Sequence, residues 1–263
     1  IGVGYRALED NTTGDFNVAI GSYALPENTT GDNNVAVGRN ALRYNTTASN
    51  NTAIGHQALD ANTTGALNTG LGANALQSNT TGANNTAIGQ GALDANTTAD
   101  NNTAAGIAAL GANTTGTQNV AVGALALENN NANDNTAVGY STMEENTTGT
   151  HNTAVGSFAL EANTTGNENT ALGKSALGYN VSGDGNTALG RSALSANLAS
   201  NNTGVGHDAL YANTTGTSNV AVGAYALDAN TTASNNTAIG YAVLGANTTG
   251  SENTALGTAA LGT

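Results

Sequence analysis

Residues 34–55 read NVAVGRNALRYNTTASNNTAIG, and the glycine at the fifth position of this stretch returns at its end, seventeen residues later. The same glycine recurs along the whole chain, and only two of its intervals, 123–139 and 190–206, are one residue shorter. A short period that persists over a whole chain indicates one supersecondary unit stacked on copies of itself. We therefore predict a single continuous array over residues 1–263, cut from a longer chain whose caps and anchor lie outside it. Sixteen glycines hold this position: Gly4, Gly21, Gly38, Gly55, Gly72, Gly89, Gly106, Gly123, Gly139, Gly156, Gly173, Gly190, Gly206, Gly223, Gly240 and Gly257.

Composition excludes several classes of function. Only 9% of the 263 residues are charged, the net charge is −13, and the five Lys and Arg residues are scattered along the sequence. Such a chain offers neither a basic track for nucleic acid nor a polybasic patch for a membrane surface. No run of 18 apolar residues is present, so we expect no membrane insertion by this segment. The chain has no cysteine, which excludes a disulfide framework.

The three residues before each repeated glycine predict a β-strand. The first is Val or Thr in nearly every copy, the second is Ala or Gly, and the third is Val, Ile or Leu in all copies but one. Because alternate strand residues share a face, we expect the first and third positions to form the core. The small second position then points away from the core and lines a close contact, which we expect between chains around a threefold axis; contact with a second layer of the same coil is the alternative. Its representatives are Ala19, Ala36, Ala53, Ala121 and Ala154.

Leucine and asparagine columns complete the repeat. Leucine lies four residues after the glycine in almost every copy, which predicts a continuous hydrophobic seam. Two asparagine columns flank the Thr-Thr-Gly segment. When identical coils stack about 4.8 Å apart, amides in such columns can hydrogen bond from coil to coil. The predicted ladders begin with Asn11, Asn28, Asn45 and Asn62 in one column, and with Asn17, Asn34, Asn51 and Asn68 in the other.

These columns favour an all-β fold, a parallel β-solenoid of about 15 coils with a 17-residue repeat. The main alternative all-β fold is a series of β-hairpins, whose turns would show Asn-Gly or Asp-Gly. Asp184-Gly185 is the sole Asp-Gly in the chain, and Asn-Gly does not occur. Paired helices do not fit in units of seventeen residues that contain two asparagine corners and a glycine.

The strings NVAIG at residues 17–21 and NVAVG at residues 34–38 and 219–223 resemble the head repeats of YadA-like trimeric autotransporter adhesins. Similar repeats occur in phage and virus tail-fibre proteins. The resemblance implies a left-handed parallel β-roll that packs with two further copies, on a cell or virion surface. It also implies an extracellular attachment function, with a host or matrix glycan or protein as the partner. A purely structural, self-assembling filament subunit is the alternative.

The first position after the glycine varies freely, which predicts solvent exposure and a contact surface. Its neighbourhood supplies the candidate contact residues Tyr5, Arg39, His56, Tyr140, Lys174, Arg191 and Tyr241. We predict no enzymatic activity, because the P-loop, GxSxG and HExxH motifs are absent. We also expect no cofactor, although carboxylates of adjacent turns could offer ligands to Ca²⁺.

Two further hypotheses concern the threonines. Twelve copies read Asn-Thr-Thr, which is formally an N-glycosylation acceptor. Regular threonine rows also suggest an ice-binding solenoid. We consider ice binding the weaker alternative, because the Thr52 column is expected to lie in the core, where it alternates with Val.

Overall fold

The computed structural model describes residues 1–261, and it is an all-β parallel β-solenoid of sixteen short strands spaced by the repeat. The predicted fold class is confirmed. The chain divides into two compact units, residues 1–133 and 134–263. Each strand comes directly before a repeated glycine, and the rest of each coil is built of turns. Within residues 1–261, no helix has the length and apolarity that would let it cross a membrane.

The strands are three residues long, except for the first, which has two. In the first unit they are β1 (Gly2–Val3), β2 (Val18–Ile20), β3 (Val35–Val37), β4 (Thr52–Ile54), β5 (Thr69–Leu71), β6 (Thr86–Ile88), β7 (Thr103–Ala105) and β8 (Val120–Val122). In the second unit they are β9 (Thr136–Val138), β10 (Thr153–Val155), β11 (Thr170–Leu172), β12 (Thr187–Leu189), β13 (Thr203–Val205), β14 (Val220–Val222), β15 (Thr237–Ile239) and β16 (Thr254–Leu256).

Within each unit, every strand pairs in parallel with the next one along the chain, and equivalent repeat positions lie opposite each other. Ala19 is thus opposite Ala36, and Thr153 is opposite Thr170. A second set of backbone hydrogen bonds joins the coils at the leucine column, where the Leu25 amide donates to the Ala41 carbonyl oxygen over 3.0 Å. Both sets repeat from coil to coil, and further bonds join the turns, as from the Thr29 N–H to the Thr46 carbonyl oxygen over 2.8 Å, so each coil is held to its neighbour along several lines.

The core lies between the small residues of the strands and the leucine column. Ala19 and Leu25 are both 0% exposed, whereas Ile20 is 42% exposed. The predicted orientation of the strand is therefore wrong, since Ala or Gly points into the core and the bulkier neighbours point outward. The narrowness of the coil explains this. A Cβ atom built on Gly70 would lie 3.5 Å from Leu59 Cγ, which leaves no room on this wall for a side chain larger than alanine.

This orientation also corrects the predicted contact between chains. Ala19, Ala36, Ala53, Ala121 and Ala154 are all 0% exposed within the single chain, so they cannot line a contact with another copy. The outward face of the same strands carries the Val or Thr column and the Val, Ile or Leu column. Neither column contains a charged residue in any coil. This surface, here called the outer strand face, is the part of the strands that remains available to a partner.

Several positions of each coil have a positive φ angle, and the leucine and the repeated glycine are two of them. Leu25 and its equivalents adopt the left-handed conformation, with φ of 49° at Leu25, which is unfavourable for a residue with a Cβ atom. Complete burial of Leu25 offsets that cost. At Gly21 the φ angle is 135°, and a Cβ atom would approach the Gly38 carbonyl oxygen to 2.6 Å. The repeated glycine is therefore required by both the conformation and the distance between coils.

The two asparagine columns hydrogen bond in different ways. In the first column, Asn28 Nδ2 donates to Asn11 Oδ1 over 2.8 Å and to the Gly31 carbonyl oxygen over 3.0 Å, which makes a ladder of side-chain amides. In the second column, Asn17 Oδ1 accepts from the backbone N–H of Asn34 over 2.9 Å. The Nδ2 atom that glycosylation would modify is thus occupied at Asn28, which is 0% exposed. In the folded chain, this geometry disfavours the glycosylation hypothesis.

The ladder gives a direct test by an isosteric change, Asn79→Asp. Asn79 Nδ2 donates to Asn62 Oδ1 over 2.8 Å and to the Gly82 carbonyl oxygen over 3.0 Å, and Asp cannot donate when ionised. We expect a loss of about 2–4 kcal/mol in the free energy of unfolding at neutral pH, because Asn62 Oδ1 loses its donor and a carboxylate is buried in the ladder. The Gly82 carbonyl oxygen keeps Asn68 Nδ2 as a donor. Thermal and urea denaturation measure this loss. The control Asn84→Asp changes an exposed asparagine and is expected to change stability by less than about 0.5 kcal/mol. Equal stability of the two variants would contradict the role of the ladder.

Candidate binding groove

The residues predicted to form a contact surface all lie on the outside of their units. In the first unit, Tyr5, Arg39 and His56 are exposed, and in the second unit Tyr140, Lys174, Arg191 and Tyr241 are exposed. Most of them follow the repeated glycine directly, where the chain leaves the strand and begins the turn that leads to the buried leucine. The leucine wall fixes the backbone of this turn, so the exposed side chains are carried on a rigid support.

In the first unit, these turns border a groove of about 770 Å³. Three successive coils contribute to it, each through the turn after the glycine and the turn after the leucine. Three of the five cationic side chains of the whole protein lie in its wall. The lining residues are Arg6, Asp10, Ser22, Tyr23, Pro26, Glu27, Arg39, Asn40, Arg43, Tyr44 and Thr46. We call this the arginine–tyrosine groove.

Aromatic and cationic side chains contact each other in the groove, both between neighbouring coils and within one coil. The Arg6 Cζ atom lies 5.4 Å from the centre of the Tyr23 ring, and the Arg43 Cζ atom lies 4.2 Å from the centre of the Tyr44 ring. Tyr5 meets Tyr23 edge to face, with 5.4 Å between ring centres. Guanidinium groups are attracted to aromatic faces at such distances, so these contacts hold both arginines in place.

A buried carboxylate anchors the third coil to the fourth. Arg43 Nη2 donates to Asp60 Oδ2 over 3.0 Å, and Asp60 is only 5% exposed. Burial raises the pKa of the Asp60 carboxyl above its ordinary value, and the charge of Arg43 acts in the opposite direction. Arg39 differs from the other two arginines, because within residues 1–261 it forms no ion pair and no side-chain hydrogen bond.

The second unit has a smaller groove built from the same repeat positions. Its volume is about 420 Å³, and its wall includes Lys174, Tyr179 and Tyr211. Lys174 occupies the position of Arg39 in its coil, and Tyr179 the position of Tyr44. Glu161 also lies in this wall, where burial, followed by the nearby charges of Glu144 and Glu145, raises the pKa of its carboxyl.

The structure places only part of the predicted surface in a groove. Arg39 lines the first groove, Lys174 lines the second, and Tyr5 supports the first through Tyr23. Arg6, Arg43 and Tyr44 were not predicted. The signal was present in the sequence, because Arg43-Tyr44 stands where most other coils carry small or acidic residues, and the only proline, Pro26, occupies the equivalent turn. Periodicity alone does not reveal that these positions of successive coils converge.

The chemistry of the groove is that of binding. It presents guanidinium, phenol and hydroxyl groups to solvent, and these can hold a polar ligand by hydrogen bonds and charge. Within residues 1–261, no three His, Cys, Asp or Glu side chains are grouped so that they could hold a metal ion. The Ca²⁺ hypothesis therefore gains no site of that kind from the described residues.

Comparison with known proteins finds no family model that matches the chain and no similar curated protein. The geometry of the chain itself is therefore the basis for its proposed function.

The Arg43–Asp60 pair predicts a pH-dependent loss of stability in the variant Arg43→Gln. Without the cation, the pKa of Asp60 rises further, so the variant keeps its stability only at low pH and loses it as pH increases through that raised pKa. We expect a deficit of about 1–2 kcal/mol at pH 7, and a smaller one at pH 4.5. The control Arg39→Gln removes an arginine without an ion pair, and it should unfold like the unmodified chain at both pH values. A deficit of equal size at both pH values would contradict this account.

Proposed function

We propose that this chain is a non-enzymatic segment of an extracellular fibre, on a cell or virion surface, that attaches to other surfaces through its variable turns. The observation that carries the proposal is the arginine–tyrosine groove, because it gathers most of the cations of an acidic chain beside aromatic rings. A repeat array presents such turns on a fixed scaffold. The resemblance to adhesin heads and tail fibres points to the same function.

Self-association is part of this proposal, as a trimer or as a filament. The outer strand face is uncharged in every coil, and Ile20, Ile54, Leu71 and Ile88 are each between 38% and 43% exposed in the first unit. Aliphatic rows of this kind are typical of surfaces that are covered in an assembly. The partner surface is thus the outer strand face, in place of the buried alanine column.

Adhesion can be measured with beads that carry the full chain, on glycan arrays and on cell layers. We expect the Tyr44→Ser variant to reduce adhesion at least fivefold, because the ring that supports Arg43 is lost. Phe16→Ser is the control, since Phe16 is 84% exposed and is not among the residues that line the groove. Failure of the unmodified chain to adhere to any surface above bare beads would contradict attachment and favour the structural filament.

Ice binding is a second candidate, and the outward threonine rows favour it. The expectation that the Thr52 column lies in the core is wrong, because the strands point their small residues inward. Thr136, Thr153, Thr170, Thr187 and Thr203 are aligned in five successive strands of the second unit. Their separation of about 4.8 Å is close to a repeat of the ice lattice, and the neighbouring column is aliphatic.

Thermal hysteresis of the purified chain tests the ice-binding candidate. We expect a measurable gap between melting and freezing, and its loss in Thr170→Lys, because a lysine on the outer strand face disrupts a flat surface. The matched control is Thr165→Lys, which alters an exposed threonine in the Thr-Thr turn. Absence of hysteresis in the unmodified chain at millimolar concentration would exclude this candidate.

A further inference from the structure

The arginine–tyrosine groove is electrostatically unlike the rest of the protein. The chain has 18 acidic residues against five Lys and Arg residues. The wall of the groove contains three arginines and the carboxylates of Asp10 and Glu27. Because Glu9 and Asp60 pair with Arg6 and Arg43, the guanidinium of Arg39 is the positive charge of the groove that is left without an ion pair within residues 1–261. A small anionic group can therefore be attracted to Arg39, whereas a long polyanion is repelled by the acidic surface around it.

Two of the three arginines are held in position before any ligand arrives. Arg43 is fixed by Asp60 and by the face of the Tyr44 ring, and Arg6 is paired with Glu9 and lies over Tyr23. Side chains that are already ordered lose little conformational entropy on binding. The groove is thus preorganised on two sides of the space that Arg39 borders.

Arg39 supplies the unsatisfied charge. Its side chain is exposed, it lines the groove, and within residues 1–261 it has no ion-pair partner. A guanidinium group binds carboxylate and sulfate through two parallel N–H donors, which makes the match geometric as well as electrostatic. A ligand with one such anionic group would form with Arg39 the ion pair that no side chain of the described residues forms.

The remainder of the wall favours a saccharide over a peptide. Ser22 and Thr46 offer hydroxyl oxygens, and the tyrosine rings combine an apolar body with a polar tip, which suits the face of a sugar. A peptide commonly binds by adding a strand to a sheet edge. Strands β2 and β3 are paired on both edges, so no strand edge is open in this region.

We propose that the arginine–tyrosine groove binds a saccharide that carries a carboxylate or sulfate group, with Arg39 as the residue that contacts the anion. The proposal rests on the attachment function and names its class of ligand. Tyr23 and Tyr44 flank the sugar, and Arg43 is a positioning residue through its contact with Tyr44.

Isothermal titration of the full chain tests the anion requirement. The probes are trigalacturonate, its fully methyl-esterified neutral form, a sulfated galactose disaccharide, and an acidic tripeptide of glutamate. We expect at least one anionic saccharide to bind, and at least tenfold more tightly than the neutral ester and the tripeptide. The carboxylated and sulfated probes distinguish the two sources of the anion. Affinity should fall as NaCl increases from 50 to 500 mM, because exposed charges are screened.

Matched variants locate the site. Arg39→Gln is expected to weaken binding at least tenfold without changing the thermal unfolding temperature, since the Arg39 side chain is exposed and unpaired. Arg191→Gln removes an exposed arginine from the same repeat position in the second unit, and it should bind like the unmodified chain. Equal losses in the two variants would overturn the assignment of the site.

Three results would overturn the inference. The neutral ester could bind as tightly as trigalacturonate, the glutamate tripeptide could bind more tightly than both anionic saccharides, or neither anionic saccharide could bind. Each of these results contradicts only the class of ligand, and the attachment function is still supported, if the beads adhere and Tyr44→Ser reduces that adhesion. Loss of bead adhesion as well would mean that the proposed function has failed.

Discussion

The structure depends on the narrow space between two walls of each coil. One wall is the strand, which presents only Ala or Gly to the interior, and the other is the leucine column, which is fully buried from Leu25 onward in the first unit. A space of this width admits one layer of leucine side chains and nothing more. The bulkier strand residues are excluded from it and turn outward, where they pack against the same residue type in neighbouring coils.

This geometry requires a strained backbone conformation at the leucine of each coil. Each coil turns its leucine inward through a left-handed conformation that is unfavourable by about 1–2 kcal/mol for a residue with a side chain. Burial of a leucine contributes about 1.5–3 kcal/mol, so the two effects are comparable and the net gain for a single coil is small. The hydrogen bonds between coils, both of the backbone and of the asparagine ladder, therefore decide whether the array is stable. This is the expected behaviour of a repeat protein, in which each unit is stabilised by its neighbours.

The scaffold and the candidate site use different positions of the repeat. The columns that form the two walls and the ladders vary little, because every coil must match the next in shape and hydrogen bonding. The turns after the glycine and after the leucine carry no such constraint, so they can hold Arg, Tyr or Lys in some coils and Ala or Ser in others. The arginine–tyrosine groove arises where three successive coils place large side chains in these turns. A ligand site can thus be added to the array without changing its core.

The period, the all-β solenoid, the amide ladder of the first asparagine column and the exposure of the turn after the glycine could all be predicted from the sequence alone. These follow from which residue types recur and at what spacing, and both are visible in one chain. The sequence did not determine which side of the strand faces the core. Alternation of Val, Ala and Ile is compatible with either orientation, and only the distance between opposite walls of the coil, as at Gly70 and Leu59, excludes the bulkier residues from the interior. The convergence of Arg6, Tyr23 and Arg39 in one groove was likewise decided by the tertiary structure, because stacking brings together residues that are about seventeen positions apart in successive coils.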